Sequence, residues 1–142
     1  MMKNQTAKKI VLTACVAVYG VLVPVLELNN THVFNPLWPS HARLHEVWQL
    51  LTNSALAGIV LWLAWSRGKI RTAAGLGMVP PAGFLAAFAL AGFYGGSMRH
   101  TDGTELTLLG VNASGLIMSL AVTVLLYIAM TPSRNQLRKK LV

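Results

Sequence analysis

Four histidines and four acids carry most of the acid–base chemistry open to this chain: His32, His41, His45 and His100, with Glu27, Glu46, Asp102 and Glu105. His41 and His45 stand at i and i+4, the spacing by which one helix offers two imidazoles to one metal ion. At about 100° per residue, with His41 as origin, His45 falls at about 40°, Trp48 at about −20°, Thr52 at about 20° and Gln49 at about 80°. The two imidazoles therefore share a face, with the Trp48 ring beneath them. Glu46 (about 140°) and Arg43 (about 200°) point elsewhere, so Glu46 joins that cluster only by serving a neighbouring helix. Two imidazoles do not complete a metal site. Glu27, His32, His100 or Asp102 would have to finish a set for a divalent metal. Without a metal the same pair transfers protons, binds a polar ligand, or forms a hydrogen-bonded cap. Catalytic candidates are thus Glu27, His41 and His45, and ligand-binding candidates around them are Arg43, Trp48 and Gln49.

Glu27 stands about 18 residues beyond Lys9, or about 27 Å along a helix. A carboxylate that far along an apolar run costs a few kcal/mol unless paired or protonated. It reads either as a proton-handling or metal-binding group or as a structural pair at a helix end. A second polar stretch, Gly95–Glu105, adds Arg99 and His100 and turns at Asp102-Gly103. Arg99 suits a partner carboxylate or an anionic head group. Asn112, read as one to two turns into the last helix, is a candidate interhelical hydrogen bond toward the same mouth.

The elements that must position these groups follow from composition. Of 142 residues, 54% are apolar and 11% charged, against about 45–50% and about 25% in soluble domains. Mean hydropathy is +0.55. This balance argues against a soluble enzyme with a charged shell and against a disordered chain. A disulfide scaffold is excluded by the single cysteine, Cys15. A transmembrane helix needs about 20 apolar residues, and four stretches qualify, at about 10–28, 41–66, 72–94 and 106–130. The expected architecture is an all-α, four-helix transmembrane bundle forming one domain over 1–142.

Lys3, Lys8, Lys9, Arg67, Lys69, Arg71, Arg134, Arg138, Lys139 and Lys140 fall on one side of these spans, and Arg43 and Arg99 on the other. The positive-inside rule puts the first side, with both termini, in the cytoplasm. The net charge of +8 is thereby explained by topology and contact with the lipid bilayer, and nucleic acid is not an expected partner. All eight histidines and acids then lie toward the opposite, outer face.

Leu12-Thr13-Ala14-Cys15 matches a lipoprotein cleavage box by letter. Only about five residues separate Cys15 from Lys9, too few for the apolar region of a signal peptide, so an uncleaved first helix is expected. Asn29-Asn30-Thr31 and Asn112-Ala113-Ser114 are weak glycosylation matches. Pro80-Pro81 should kink the third span. That span is rich in small residues, including a Gly92/Gly96 GxxxG pair that serves packing within the bundle or a homodimer contact. No GxSxG, P-loop or dinucleotide fingerprint occurs. Cys15 lies far from every histidine on this topology, which excludes a Cys–His nucleophile.

The helix count, the chain length and the late acid in the first span (Glu27) resemble the small bacterial four-helix membrane proteins called DoxX-like. The stretch from Asn35 to His45 looks like a signature of one branch of such proteins. That resemblance implies the bacterial inner membrane, and quinone-linked redox work or an accessory role. Three functions compete. One is a small enzyme or redox accessory with an outer-face pocket for a lipid-soluble substrate such as a quinone, its tail lying between the third and fourth helices. Another is a non-catalytic assembly subunit bound to a membrane-protein partner. The last is a transporter for a metal or small solute, which the lack of ionisable groups in the lower halves of the spans argues against.

Overall fold

A computed structural model describes residues 2–100 and 103–131, with side chains from Gln5 onward. Asp102 and the basic tail residues Arg134, Arg138, Lys139 and Lys140 lie outside the described residues. Four helices are long and apolar enough to cross a membrane: Gln5–Glu27, Ser40–Trp65, Ile70–Tyr94 and Ala113–Met130.

The first, α1, is α-helical over Met2–Ala17, π-helical over Val18–Leu22 and α-helical again over Val23–Glu27. Pro24 gives the physical reason. It has no N–H to donate to the Gly20 carbonyl one turn earlier, so the ladder must slip or break there. The Val23 N–H reaches back five residues to the Val18 carbonyl. The freed Gly20 carbonyl accepts instead from the Ser54 hydroxyl of the next helix, at 2.9 Å. A Cβ at position 20 would collide with the Ala57 side chain, so glycine is what lets the two backbones approach.

Helix α2 spans Ser40–Trp65. Ser40 is the first helical residue and Pro39 the cap position. The Pro39 carbonyl accepts the Arg43 N–H at 3.2 Å with no side-chain cap. The third span is two helices, α3 (Ile70–Gly77) and α4 (Val79–Tyr94), divided at Met78. The Pro80-Pro81 pair sits in the first turn of α4, where missing N–H groups cost little. Gly95 closes α4 with φ of 72°, the left-handed conformation glycine adopts most readily.

The last helix, α5, runs Ala113–Met130, and the expectation that it starts near residue 106 is corrected. Residues 107–112 form a hairpin instead, β1 (Thr107–Leu108) antiparallel to β2 (Val111–Asn112). Leu109 (φ 52°) and Gly110 (φ 79°) turn it, the positive-φ pair that a two-residue hairpin needs. Asn112 ends the strand and caps α5: its side-chain oxygen accepts the Gly115 N–H at 2.8 Å.

Packing is concentrated at the end of the bundle that carries the N-terminus. Leu12, Val16 and Tyr19 of α1 meet Ala57, Val60 and Ala64 of α2 there, with Ile70, Ala73 and Ala74 of α3 and Leu125 and Ile128 of α5. Four alanines in this cluster, Ala57, Ala64, Ala73 and Ala74, let the helices approach closely around the larger side chains. Toward the other end the bundle separates into two pairs. The last turns of α1 pack on α2, while α4 packs on α5 and has no extensive contact with α1 or α2.

Candidate functional site

The loosely packed end is where every described acid and histidine lies: Glu27 ends α1, Glu46 is in the second turn of α2, and Glu105 and His100 are in the α4–α5 connection. The described cations Lys8, Lys9, Arg67, Lys69 and Arg71 flank the opposite end. The sequence asymmetry is thus a structural one for these residues.

The connection between α1 and α2 folds back over the end of α1. The Glu27 carbonyl accepts the N–H groups of Asn29 (2.8 Å) and Val33 (3.2 Å). Asn35, 1% exposed, donates from its side chain to the Thr31 carbonyl at 3.1 Å and accepts the Leu37 N–H at 3.0 Å. This loop presents His32 to Glu27, with Nε2 2.8 Å from Oε2. His32 also meets the His100 ring edge-on at a centroid distance of 4.9 Å, and the Trp38 ring at 5.7 Å. Two connections from opposite sides of the bundle therefore touch through histidines.

The protonation pattern follows from Asn29. Its Nδ2 donates to the Leu26 carbonyl (2.6 Å), and its Oδ1 accepts the Thr31 N–H (2.7 Å) and the His32 N–H (3.2 Å), which fixes the amide orientation. Oδ1 is an acceptor only, so the Thr31 hydroxyl, 2.7 Å away, must donate to it. The same hydroxyl lies 2.9 Å from His32 Nδ1 and can only accept there, so Nδ1 carries a hydrogen. Burial, and then the neighbouring His100, push the His32 imidazole below the ordinary histidine pKa, which favours the neutral ring with a bare Nε2. A bare nitrogen and a carboxylate oxygen 2.8 Å apart would both be acceptors, so the contact favours a protonated Glu27 carboxyl. Glu27 Oε2 is buried, and its 2.8 Å contact with His32 Nε2 falls short of hydrogen-bond alignment.

Around this pair, the Glu46 carboxylate is close enough to Glu27 to act on it electrostatically. Glu46 thus serves α1, the neighbouring helix, as its angular position on α2 requires. Glu105 lies apart: Oε1 accepts the Asn112 Nδ2–H at 3.0 Å, and Oε2 is 3.7 Å from Arg99 Nε. Asn112 and Arg99 are therefore joined to Glu105, not to Glu27.

His41 and His45 form a separate exposed pair on the other face of α2, with Nε2 atoms 3.0 Å apart. The His45 ring lies 5.7 Å from the Trp48 ring, as the helical spacing requires. Arg43 is partly buried and Gln49 exposed. Glu27 and His100, expected to complete a ligand set with His41 and His45, are engaged with His32. Among the described residues no three His, Cys, Asp or Glu side chains are grouped closely enough to hold a metal ion. His32 entered the sequence reading only as a spare ligand, and its five-residue separation from Glu27 across a turn was the signal for the pairing.

For an amphiphile, α4 offers a shallow depression of about 120 Å³ lined by Phe84, Phe88, Ala91, Tyr94 and Met98. Pockets that enclose small ligands run about 300–1,000 Å³. Between α4 and α5 the space expected for a tail is narrow, since Phe88 already sits against Gly115.

Comparison with protein-family models, curated proteins and solved structures finds no match to this chain. Function is therefore argued from the chemistry of the site itself.

Proposed function

We propose that this protein is a multi-pass protein of the bacterial inner membrane, with both termini in the cytoplasm, that binds the head of a lipid-soluble, quinone-class molecule at its outer face. The proposal keeps the DoxX-like kinship as its family reading and an accessory role in quinone-linked redox work. One observation carries it: Glu27 Oε2 and His32 Nε2 lie 2.8 Å apart at the end of an apolar span, with His32 against the His100 ring. A carboxyl–imidazole pair of this kind can donate a hydrogen bond to a quinone oxygen, or take up the proton of a quinol hydroxyl. Electrons would pass through a partner subunit, and this chain would position the head group and hold the proton. Four apolar spans and the Lys and Arg asymmetry support the location. The separation of the α1–α2 pair from the α4–α5 pair supports lateral entry from lipid.

The test is saturable quenching of tryptophan fluorescence by a short-chain quinone in purified protein, Trp38 being in contact with His32. Loss of one hydrogen bond to an ionisable group should weaken binding about tenfold in Glu27→Gln or His32→Gln, at unchanged helical content. Unchanged affinity in both variants would reject the site.

A second reading, a non-catalytic assembly subunit, is favoured by one feature. Leu106, Leu108 and Leu109 are exposed on the hairpin connection, Leu109 at 97%. Leu109→Asp would then release a co-purifying membrane partner and leave quinone binding intact.

A further inference from the structure

We infer that His41 and His45 form a two-imidazole chelate for a late divalent first-row transition metal, copper or nickel before zinc, independent of the Glu27–His32 site. The two side chains sit one turn apart near the start of α2, both exposed, with Nε2 atoms 3.0 Å apart and ring planes at 82°. In the metal-free pair, one ring N–H donates to the bare nitrogen of the other. A metal ion replaces that hydrogen, and both rings, free on the surface, turn their lone pairs toward it.

The ligand type ranks the metals: neutral imidazole suits copper, nickel and zinc, and divalent affinity at nitrogen sites peaks at Cu²⁺. With metal–nitrogen bonds of about 2.0–2.1 Å, two ligands lie about 2.9 Å apart at a right angle and about 3.3 Å at a tetrahedral angle, both within reach of two exposed rings whose Nε2 atoms start 3.0 Å apart. Water completes the coordination, because no third His, Cys, Asp or Glu is grouped with the pair among the described residues. The absence of a carboxylate removes the hard ligand that Mg²⁺ or Ca²⁺ would need. Both nitrogens are held on one stiff helix, so the second bond forms at high effective concentration, worth about a hundredfold over a single imidazole.

The experiment uses full-length, tag-free protein in detergent, titrated with Cu²⁺, Ni²⁺, Zn²⁺ and Mg²⁺ by calorimetry. His41→Gln and His45→Gln are run beside it. The expected result is one ion per chain in the order Cu²⁺, Ni²⁺, Zn²⁺, with no heat from Mg²⁺. Either variant should weaken Cu²⁺ binding about a hundredfold. Cu²⁺ electron paramagnetic resonance should show two nitrogen couplings in the wild type and one in each variant. This signature survives partial loss of folded yield, because it reads only the bound fraction. Equal affinity in wild type and variants, or a single nitrogen coupling in the wild type, would overturn the chelate. Mg²⁺ binding as tight as Ni²⁺ would overturn it too, since that order belongs to carboxylates.

Discussion

His41 and His45 belong to a helix, whereas His32 and His100 belong to the two connections that close over the end of the bundle. The helical pair is set by local geometry: four residues of spacing make the two side chains neighbours on one face, and their Nε2 atoms meet at 3.0 Å. The loop pair is set by tertiary structure. His32 needs the Asn29 turn and the buried Asn35 to face Glu27, and His100 must arrive from the far side of α4. The same side chain thus does different chemistry in the two places. Exposed and unengaged by acid, the helical imidazoles are free to bind an ion. Half-buried against a carboxyl, His32 is held in one tautomer with a proton to share.

Both regions lie at the loose end of helices that are held together by the packed core, and the largest effect is expected in that core. Gly20→Ala forces a Cβ into Ala57 and should cost about 1–3 kcal/mol, read as a lower unfolding temperature. If both histidine regions then lose function in proportion to folded yield, the difference between them is local chemistry rather than scaffold. The comparison sharpens with Glu27→Gln, which should weaken short-chain quinone binding about tenfold, while the His41→Gln/His45→Gln double variant leaves it unchanged. The reverse pattern would break it. Asn112→Ala removes the cap of α5 and frees Glu105, and is expected to lower stability by about 1 kcal/mol without touching either histidine pair.

Acidification should give the smallest effect. The His32 pKa is lowered by burial and by His100, so protonation favours the unfolded loop. Its contribution is complete above the ordinary histidine value, about 6.5, and declines as the pH falls below it. The carboxyl that keeps its proton in the folded state acts in the opposite direction over this range, so the His32 contribution is read as a difference. Between about pH 7 and pH 5 the thermal stability of His32→Gln should improve relative to the wild type as the pH falls.

Much of this was legible in the sequence. The four spans stand out by length and hydropathy, and the angular positions on α2 correctly set His41, His45 and Trp48 on one face with Glu46 on another. A helical wheel shows which residues share a face but not which face meets α1, so it does not reveal that Glu27 lies beside His32 rather than His41 and His45. The start of α5 was hidden because Leu106-Thr107-Leu108-Leu109-Gly110-Val111 is apolar enough to continue a helix. Only the positive-φ turn at Leu109-Gly110 and the capping Asn112 mark it as a hairpin. The π-helical turn had a signal in Pro24, whose missing donor is answered by Ser54 from a helix thirty residues away.

The proton shared by Glu27 and His32 is the centre of the proposed function, and infrared spectroscopy of the carboxyl groups reads it directly. At neutral pH the wild type should show a protonated-carboxyl band that shifts in heavy water, persists in Glu46→Gln and vanishes in Glu27→Gln. A wild-type spectrum holding only ionised carboxylate bands would contradict the shared proton.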